Sequence, residues 1–141
     1  MKIVVSACLL GENCKYNGGN NFCPAVEDFT RGREVIPVCP EMEAGYGCPR
    51  TPIEIVDGVL YDRDGNNVDA AMRAAIDRLL EQLAGQEIAC AVLKSRSPTC
   101  GVRQVYDGTF TGTLVDGMGL FAQAMATAGY TVIDSEEVPE R

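Results

Sequence analysis

Short runs of consecutive apolar residues alternate along this chain with stretches in which apolar positions recur every three or four residues. The first kind reads as buried strand and the second as amphipathic helix. Residues 2–7, 34–38, 88–93 and 130–133 are runs of the first kind, apolar enough to be covered on both faces, as the strands of a parallel sheet are. Helices are predicted at three places. Pro24 stands at a first helical position with Val26 and Phe29 on one face and Gly32 behind. Met72, Ala75, Ile76, Leu79, Leu80 and Leu83 share a face between an Asp69 cap and a Gly85 stop. Met118, Phe121, Ala122 and Met125 follow an Asp116 cap and end at Gly129.

The intervening segments are polar or rich in Gly, Asn and Pro. Residues 11–21 read as a long loop at a strand end, a common place for function. Pro37, Pro40, Pro49 and Pro52 argue against regular structure through most of residues 39–52. Asp57-Gly58, flanked by residues 53–56 and 59–61, signals a hairpin away from the parallel core. Asp107-Gly108, between residues 102–106 and 109–110, signals a second hairpin or a tight turn. Strand and helix alternating in this order predict one domain, residues 1–141, of the α/β class: a three-layer fold with a mostly parallel sheet flanked by helices, and peripheral β-hairpins.

Composition narrows the partners. Hydrophobic residues make up 46% and charged residues 23% of 141, an ordinary folding composition. Twelve Lys and Arg against twenty Asp and Glu give a formal charge of −8, and no basic stripe tracks a phosphate backbone, so nucleic acid is a disfavoured partner. A local basic pocket remains compatible with that balance. No apolar stretch approaches the length that spans a bilayer, and Met1-Lys2 runs straight into a strand pattern without the features of a secretory leader. The expected compartment is the cytoplasm, where thiols are kept reduced; seven cysteines there point to metal, cluster or catalytic roles rather than a disulfide framework. The absence of histidine removes the commonest general base and the commonest partner of cysteine on zinc.

Three of the cysteines share a position. Cys8, Cys39 and Cys100 each sit at or just beyond the carboxyl end of a predicted strand, where open α/β sheets bind ligands. Cys100 closes the stretch Leu93-Lys94-Ser95-Arg96-Ser97-Pro98-Thr99-Cys100-Gly101, which packs a thiol, two serines and two cations into nine residues. Cys90 reads as core packing, Cys23 as capping or packing at the first helix, Cys48 as a possible member of the site, and Cys14 as a serious candidate for it. No C-x-x-C pair is present, which weakens structural zinc; iron-sulfur clusters can gather thiolates from distant loops. Glu41, two residues after Cys39, is a candidate general base in a chain without histidine, and Ser97, three before Cys100, a candidate proton relay. Lys94, Arg96 and Arg50 could bind an anion or offset the charge of a cluster.

The sequence Ser6-Ala7-Cys8-Leu9-Leu10-Gly11, with Cys14-Lys15-Tyr16-Asn17-Gly18, then Val38-Cys39-Pro40-Glu41, then Leu93-Lys94 and Ser97-Pro98-Thr99-Cys100-Gly101 with Tyr106-Asp107-Gly108, resembles the bacterial 2-thiouracil desulfidase family over essentially the whole chain. The resemblance implies a [4Fe-4S] cluster held by three cysteines, Cys8, Cys39 and Cys100, with Glu41 and Ser97 as the catalytic pair. It implies a small thiopyrimidine substrate and non-redox, hydrolytic C=S cleavage, giving uracil and sulfide from 2-thiouracil. The chain departs from the family pattern after Glu41, where Gly45-Tyr46-Gly47-Cys48-Pro49-Arg50 replaces a run of the Gly-Gly-Leu-Pro-Thr-Pro-Arg type. Two other functions use the same cysteines: a non-enzymatic iron-sulfur or sulfur carrier, in which Glu41 and Ser97 are dispensable, and a cytosolic thiol redox protein cycling through Cys8 and Cys14.

Overall fold

A computed structural model describes residues 1–139. Strand β1 (Lys2–Ser6) runs into a single 3-10 turn at Ala7–Leu10, closed by Gly11 in the left-handed region. The long Gly/Asn loop leads to α1 (Pro24–Thr30) and then β2 (Val35–Val38). A four-residue helix, α2 (Pro40–Glu43), follows directly. The hairpin β3 (Ile53–Val56) and β4 (Val59–Asp62) precedes α3 (Asp69–Leu83) and β5 (Ile88–Leu93). A second hairpin, β6 (Gln104–Tyr106) and β7 (Leu114–Asp116), precedes α4 (Leu120–Thr127) and β8 (Val132–Asp134).

Four strands form one sheet in the order β2-β1-β5-β8, every pairing parallel. Val4 stands beside Ile36 on one side and Ala91 on the other, which centres β1 in the sheet. Side-chain alternation then builds two cores. Ile3, Val5, Cys90 and Val92 face Val26 of α1 and Leu9. Val4, Ala91 and Leu93 face Met72, Ile76, Leu79 and Leu83 of α3 and Phe121, Ala122 and Met125 of α4. Each fully buried side chain of this size contributes about 2 kcal/mol of hydrophobic stabilisation. The result is the three-layer arrangement the strand-helix alternation predicts. Pro37 lies in β2, an edge strand, where a missing N–H is tolerated.

The local expectations hold in part. Residues 39–52 are irregular except for α2, which starts because Pro40 supplies a first helical residue whose missing N–H costs nothing. The β3–β4 hairpin stands apart from the parallel sheet but not from the core, since Ile53 and the fully buried Leu60 belong to the larger cluster. Asp69 does not cap α3 by its side chain; its Oδ1 instead accepts from the Leu60 N–H at 3.0 Å and ties the hairpin to the helix. Residues 109–110 do not pair with β6, because Glu54 accepts the Gly108 and Phe110 N–H groups. The partner strand is therefore Leu114–Asp116, which places Asp116 in β7 and leaves Gly119 at the start of α4. The Glu136-Glu137 segment is exposed, as an acidic tail should be, yet each carboxylate reaches an arginine: Arg96 and Arg103, both at 2.6 Å. No helix among the described residues is long and apolar enough to cross a membrane.

Candidate active site at the sheet switch point

β1 connects forward to β2 on one flank, while β5 joins it on the other, so the direction of winding reverses between β1 and β5. A crevice opens at the carboxyl ends of strands where that happens. Here the two strand ends are tied together: the Lys94 N–H donates to Ser6 Oγ at 2.9 Å. A pocket of about 480 Å³ occupies the crevice, and Cys8, Cys14, Cys39, Glu41, Ser97 and Cys100 all line it. Residues brought from the ends of β1, β2 and β5 thus meet in one place.

The thiols sit in different settings. Cys100 is 4% exposed and flanked by backbone packing that only glycines allow: a Cβ on Gly101 would lie 2.6 Å from the Gln104 carbonyl oxygen, and one on Gly119 2.4 Å from the Thr99 carbonyl carbon. Burial pushes its thiol up to about 12, with the Cys8 and Cys39 sulfurs adding to the rise and the Ser6 and Thr99 hydroxyls opposing it. Cys8, half-buried in the 3-10 turn, is raised by burial and by Glu41; hydrogen bonding from the Asn21 side chain and the nearby Lys94 charge work the other way. Cys39 precedes α2 and is raised by burial, against a hydrogen bond from the Met42 N–H. Cys14, 8% exposed, is pushed strongly up by burial and by its closeness to Cys39 and Cys8. All seven cysteines are free.

Ser97 organises the loop that carries Cys100. Its Oγ accepts from the Thr99 N–H at 3.2 Å and the Cys100 N–H at 3.0 Å, and lies 3.1 Å from Thr99 Oγ1. A serine holding a turn before Pro98 is the plain structural role, and the hydroxyl hydrogen is still available for donation. Glu41, on α2, presents Oε2 to Arg50 Nη2 at 2.8 Å, with side chains 17% and 6% exposed. Arg50 is also anchored by donation from Nη1 to the Gly47 carbonyl at 2.8 Å.

Among the described residues, Lys15, Arg50, Arg63, Lys94 and Arg96 line the pocket, against the two acids Glu41 and Glu54. In a chain of charge −8 that inversion favours negative charge in the pocket. It is the local basic pocket the overall balance permitted.

Of the remaining cysteines, Cys90 and Cys23 pack as their sequence contexts suggest, whereas Cys48, a possible member of the site from sequence, is not among the residues lining the pocket. Cys90 is buried in β5 and Cys23 packs against the α1-side core. Cys48 donates to the Asn13 and Lys15 carbonyls at 3.2 and 3.0 Å, bracing the segment that carries Cys14. Sequence reasoning missed the partners more than the thiols. Ser6 is legible only as a strand-end residue two before Cys8, Asn21 only as a loop residue, and the Arg50–Glu41 pairing spans nine positions of irregular chain.

The donor chemistry limits what the pocket can hold. Among the described residues, no three His, Cys, Asp or Glu side chains converge on a single point, as one bound ion would require. Thiols spread around a cavity instead suit a polynuclear group, whose ligands go to separate metal atoms.

Comparison with known proteins agrees with this geometry. The curated Bacillus subtilis (strain 168) protein described as "Uncharacterized protein YbbK" is 30% identical over 146 residues, covering 96% of this chain and 97% of its own. The solved structure of a [4Fe-4S]-dependent thiouracil desulfidase, TudS, superposes with a TM-score of 0.89 at 29% identity, covering 96% of this chain and 91% of that one. The model of the 2-thiouracil desulfurase family matches residues 3–137, a span that takes in β1 from Ile3 onward, β2, β5 and every thiol in the crevice. The chain therefore belongs to the 2-thiouracil desulfurase family.

Proposed function

We propose that this chain is an iron-sulfur-dependent desulfidase that hydrolyses a thiopyrimidine such as 2-thiouracil to the oxygenated base and sulfide. One observation carries the assignment: three thiols from three separate strand ends line one basic pocket at the switch point of the sheet. The pocket fits a [4Fe-4S] cluster on the chemistry of its donors, which are soft, reduced and distributed, with cations beside them to offset anionic charge. Cys8, Cys39 and Cys100 would hold it, and Cys14 is the fourth thiol nearby.

When bound, such a cluster with three protein ligands supplies an open Lewis-acid position suited to a sulfur atom. The protein side of the chemistry falls to the remaining groups. Glu41 takes a proton from the water that attacks the thiocarbonyl carbon, using the carboxylate oxygen that Arg50 does not engage. Ser97, its oxygen already accepting two backbone N–H groups, donates its hydrogen toward the departing sulfur or the new carbonyl. Lys94 and Arg96 offset the charge that develops as sulfide separates. Water supplies the oxygen and, through these groups, the two protons; both bonding pairs of the C=S bond leave on sulfur as hydrogen sulfide, two C–O bonds replace them, and there is no net oxidation or reduction. Residues 1–141 act as one desulfidase domain, in the cytoplasm.

The test is sulfide release from 2-thiouracil by protein reconstituted anaerobically with iron and sulfide. Glu41→Gln and Ser97→Ala should each keep the iron content and lose turnover by about 10²-fold or more. Retained turnover in both would remove Glu41 and Ser97 from the mechanism, and a cluster-loaded protein that releases no sulfide would leave the carrier function standing. One contact bears on a thiol redox function: the Cys39 thiol donates to the Cys14 carbonyl at 4.0 Å, which sets those two cysteines side by side. Both thiols are raised, which disfavours the thiolate that disulfide exchange needs.

A further inference from the structure

Phe110 combines three properties that core packing does not explain. Its backbone sits at φ +58°, a region that aromatic residues rarely adopt. Its side chain belongs to neither hydrophobic cluster. And it lines the same pocket as the thiols. A glycine at this position would relieve the backbone at no cost to the core. Strain of this kind persists only where the surroundings over-determine the conformation.

The surroundings do so through Glu54. This β3 residue is 8% exposed, and its Oε1 accepts from the Gly108 N–H at 2.9 Å and the Phe110 N–H at 3.2 Å. The loop is pressed onto the hairpin backbone: a Cβ on Gly108 would lie 2.6 Å from the Ile55 carbonyl oxygen. On either side of Phe110 the loop is held by its own polar groups, with Asp107 Oδ1 accepting from the Thr109 N–H at 3.0 Å before it and the Thr111 and Thr113 hydroxyls 2.9 Å apart after it. Of the other aromatic residues in the pocket wall, Tyr16 is 44% exposed and Tyr106 is fixed within a strand ladder. Only Phe110 is placed by a dedicated buried carboxylate.

We propose that Phe110 is a specificity-determining residue that stacks on the planar ring of the substrate, and that Glu54 is the positioning residue that holds it there. This rests on the assignment of a thiopyrimidine substrate, and it adds what selects a heteroaromatic ring over an open-chain thioamide. Stacking is tolerant of ring substituents and acts on bound substrate and bound product alike. Loss of the ring should therefore raise KM without a matching fall in kcat.

The experiment uses the full chain, anaerobically reconstituted, with KM and kcat for sulfide release from 2-thiouracil and calorimetric affinity for uracil. Phe110→Ala should raise KM and weaken uracil binding, each by about tenfold, with iron content unchanged. Phe110→Tyr, which restores a ring, should recover most of both. Glu54→Leu should raise KM as Phe110→Ala does, and the double variant should be no worse than Phe110→Ala alone, because both changes remove one interaction. Glu54→Gln, whose amide oxygen can accept both N–H groups, should rescue the Glu54→Leu loss. An unchanged KM and uracil affinity in Phe110→Ala overturns the proposal. If the unmodified protein releases no sulfide, the desulfidase assignment fails, and the uracil titration still decides on Phe110. Absence of uracil binding by the unmodified protein also overturns it.

Discussion

Arg50 and Glu41 form a short ion pair, 2.8 Å between Nη2 and Oε2, with the arginine side chain only 6% exposed and its Nε the one buried side-chain N or O atom among the described residues without a partner. Removing one member of such a pair leaves the other charge desolvated. Arg50→Leu should cost about 2–4 kcal/mol of unfolding free energy. The double variant Arg50→Leu/Glu41→Leu should recover much of it. Chemical denaturation of the three proteins checks this, and equal losses in single and double variants would rule out a coupled pair.

The four pocket thiols should not be equivalent. Cys8→Ser, Cys39→Ser and Cys100→Ser should each lose most of the bound iron after reconstitution. Cys14→Ser should keep it, together with the visible absorption of the cluster. Iron per chain is the measurement. Loss in Cys14→Ser would make Cys14 a ligand, and retention in Cys8→Ser would remove Cys8 from the set.

Gly119 brings the start of α4 against the backbone at Thr99, where an added methyl would stand 2.4 Å from a carbonyl carbon. Its φ of −66° is ordinary, so the effect of Gly119→Ala is steric and not conformational. The clash is with backbone that also positions Cys100, and nothing flexible can yield. Gly119→Ala should lower stability by about 1–3 kcal/mol and reduce iron loading in parallel. A thermal melt with unchanged midpoint would show that the contact accommodates a methyl group and contributes nothing to stability.

Tyr46 is raised to about 12, first by burial and then by the nearby Glu41 and Asp69 carboxylates, and its hydroxyl donates to the Val68 carbonyl. A phenol that ionises later in the folded than in the unfolded chain holds its proton more tightly when folded. Its stabilising contribution is whole below pH 10 and lost as pH rises from 10 toward 12. Tyr46→Phe should therefore flatten the fall in stability across that window. The difference in phenolate absorbance between the two proteins should titrate near the upper end of it. A Tyr46 component titrating at 10 would contradict the burial argument.

How much of this the chain announces depends on the range of the interaction concerned. Every strand of the parallel sheet is marked by a short apolar run and each of the three longer helices by apolar positions at three- and four-residue spacing, because burial of one face or two is a property of neighbouring residues. The first hairpin is equally local: Asp57 and Gly58 both take positive φ, as the dipeptide signals. Where local signals competed, the distant group won. Asp107-Gly108 has the composition of a two-residue turn, but Glu54, more than fifty residues earlier, draws the Gly108 and Phe110 N–H groups to itself and moves the strand on to residue 114. The α4 cap moved with it.

The layer architecture, the three strand-end cysteines and, through the motifs, the family are all legible in the order of residues along the chain. Periodicity and strand polarity suffice for these, since a parallel strand must deliver its carboxyl end to the same edge of the sheet as its neighbours. The tertiary structure alone decided which other side chains share that edge. Arg50 on Glu41, Ser6 between Lys94 and Cys100, Cys14 against Cys39 and Glu54 beneath Phe110 join segments nine to ninety-four positions apart. No periodicity records such pairs, because their energies arise from desolvation and hydrogen bonding that exist only once the segments have packed.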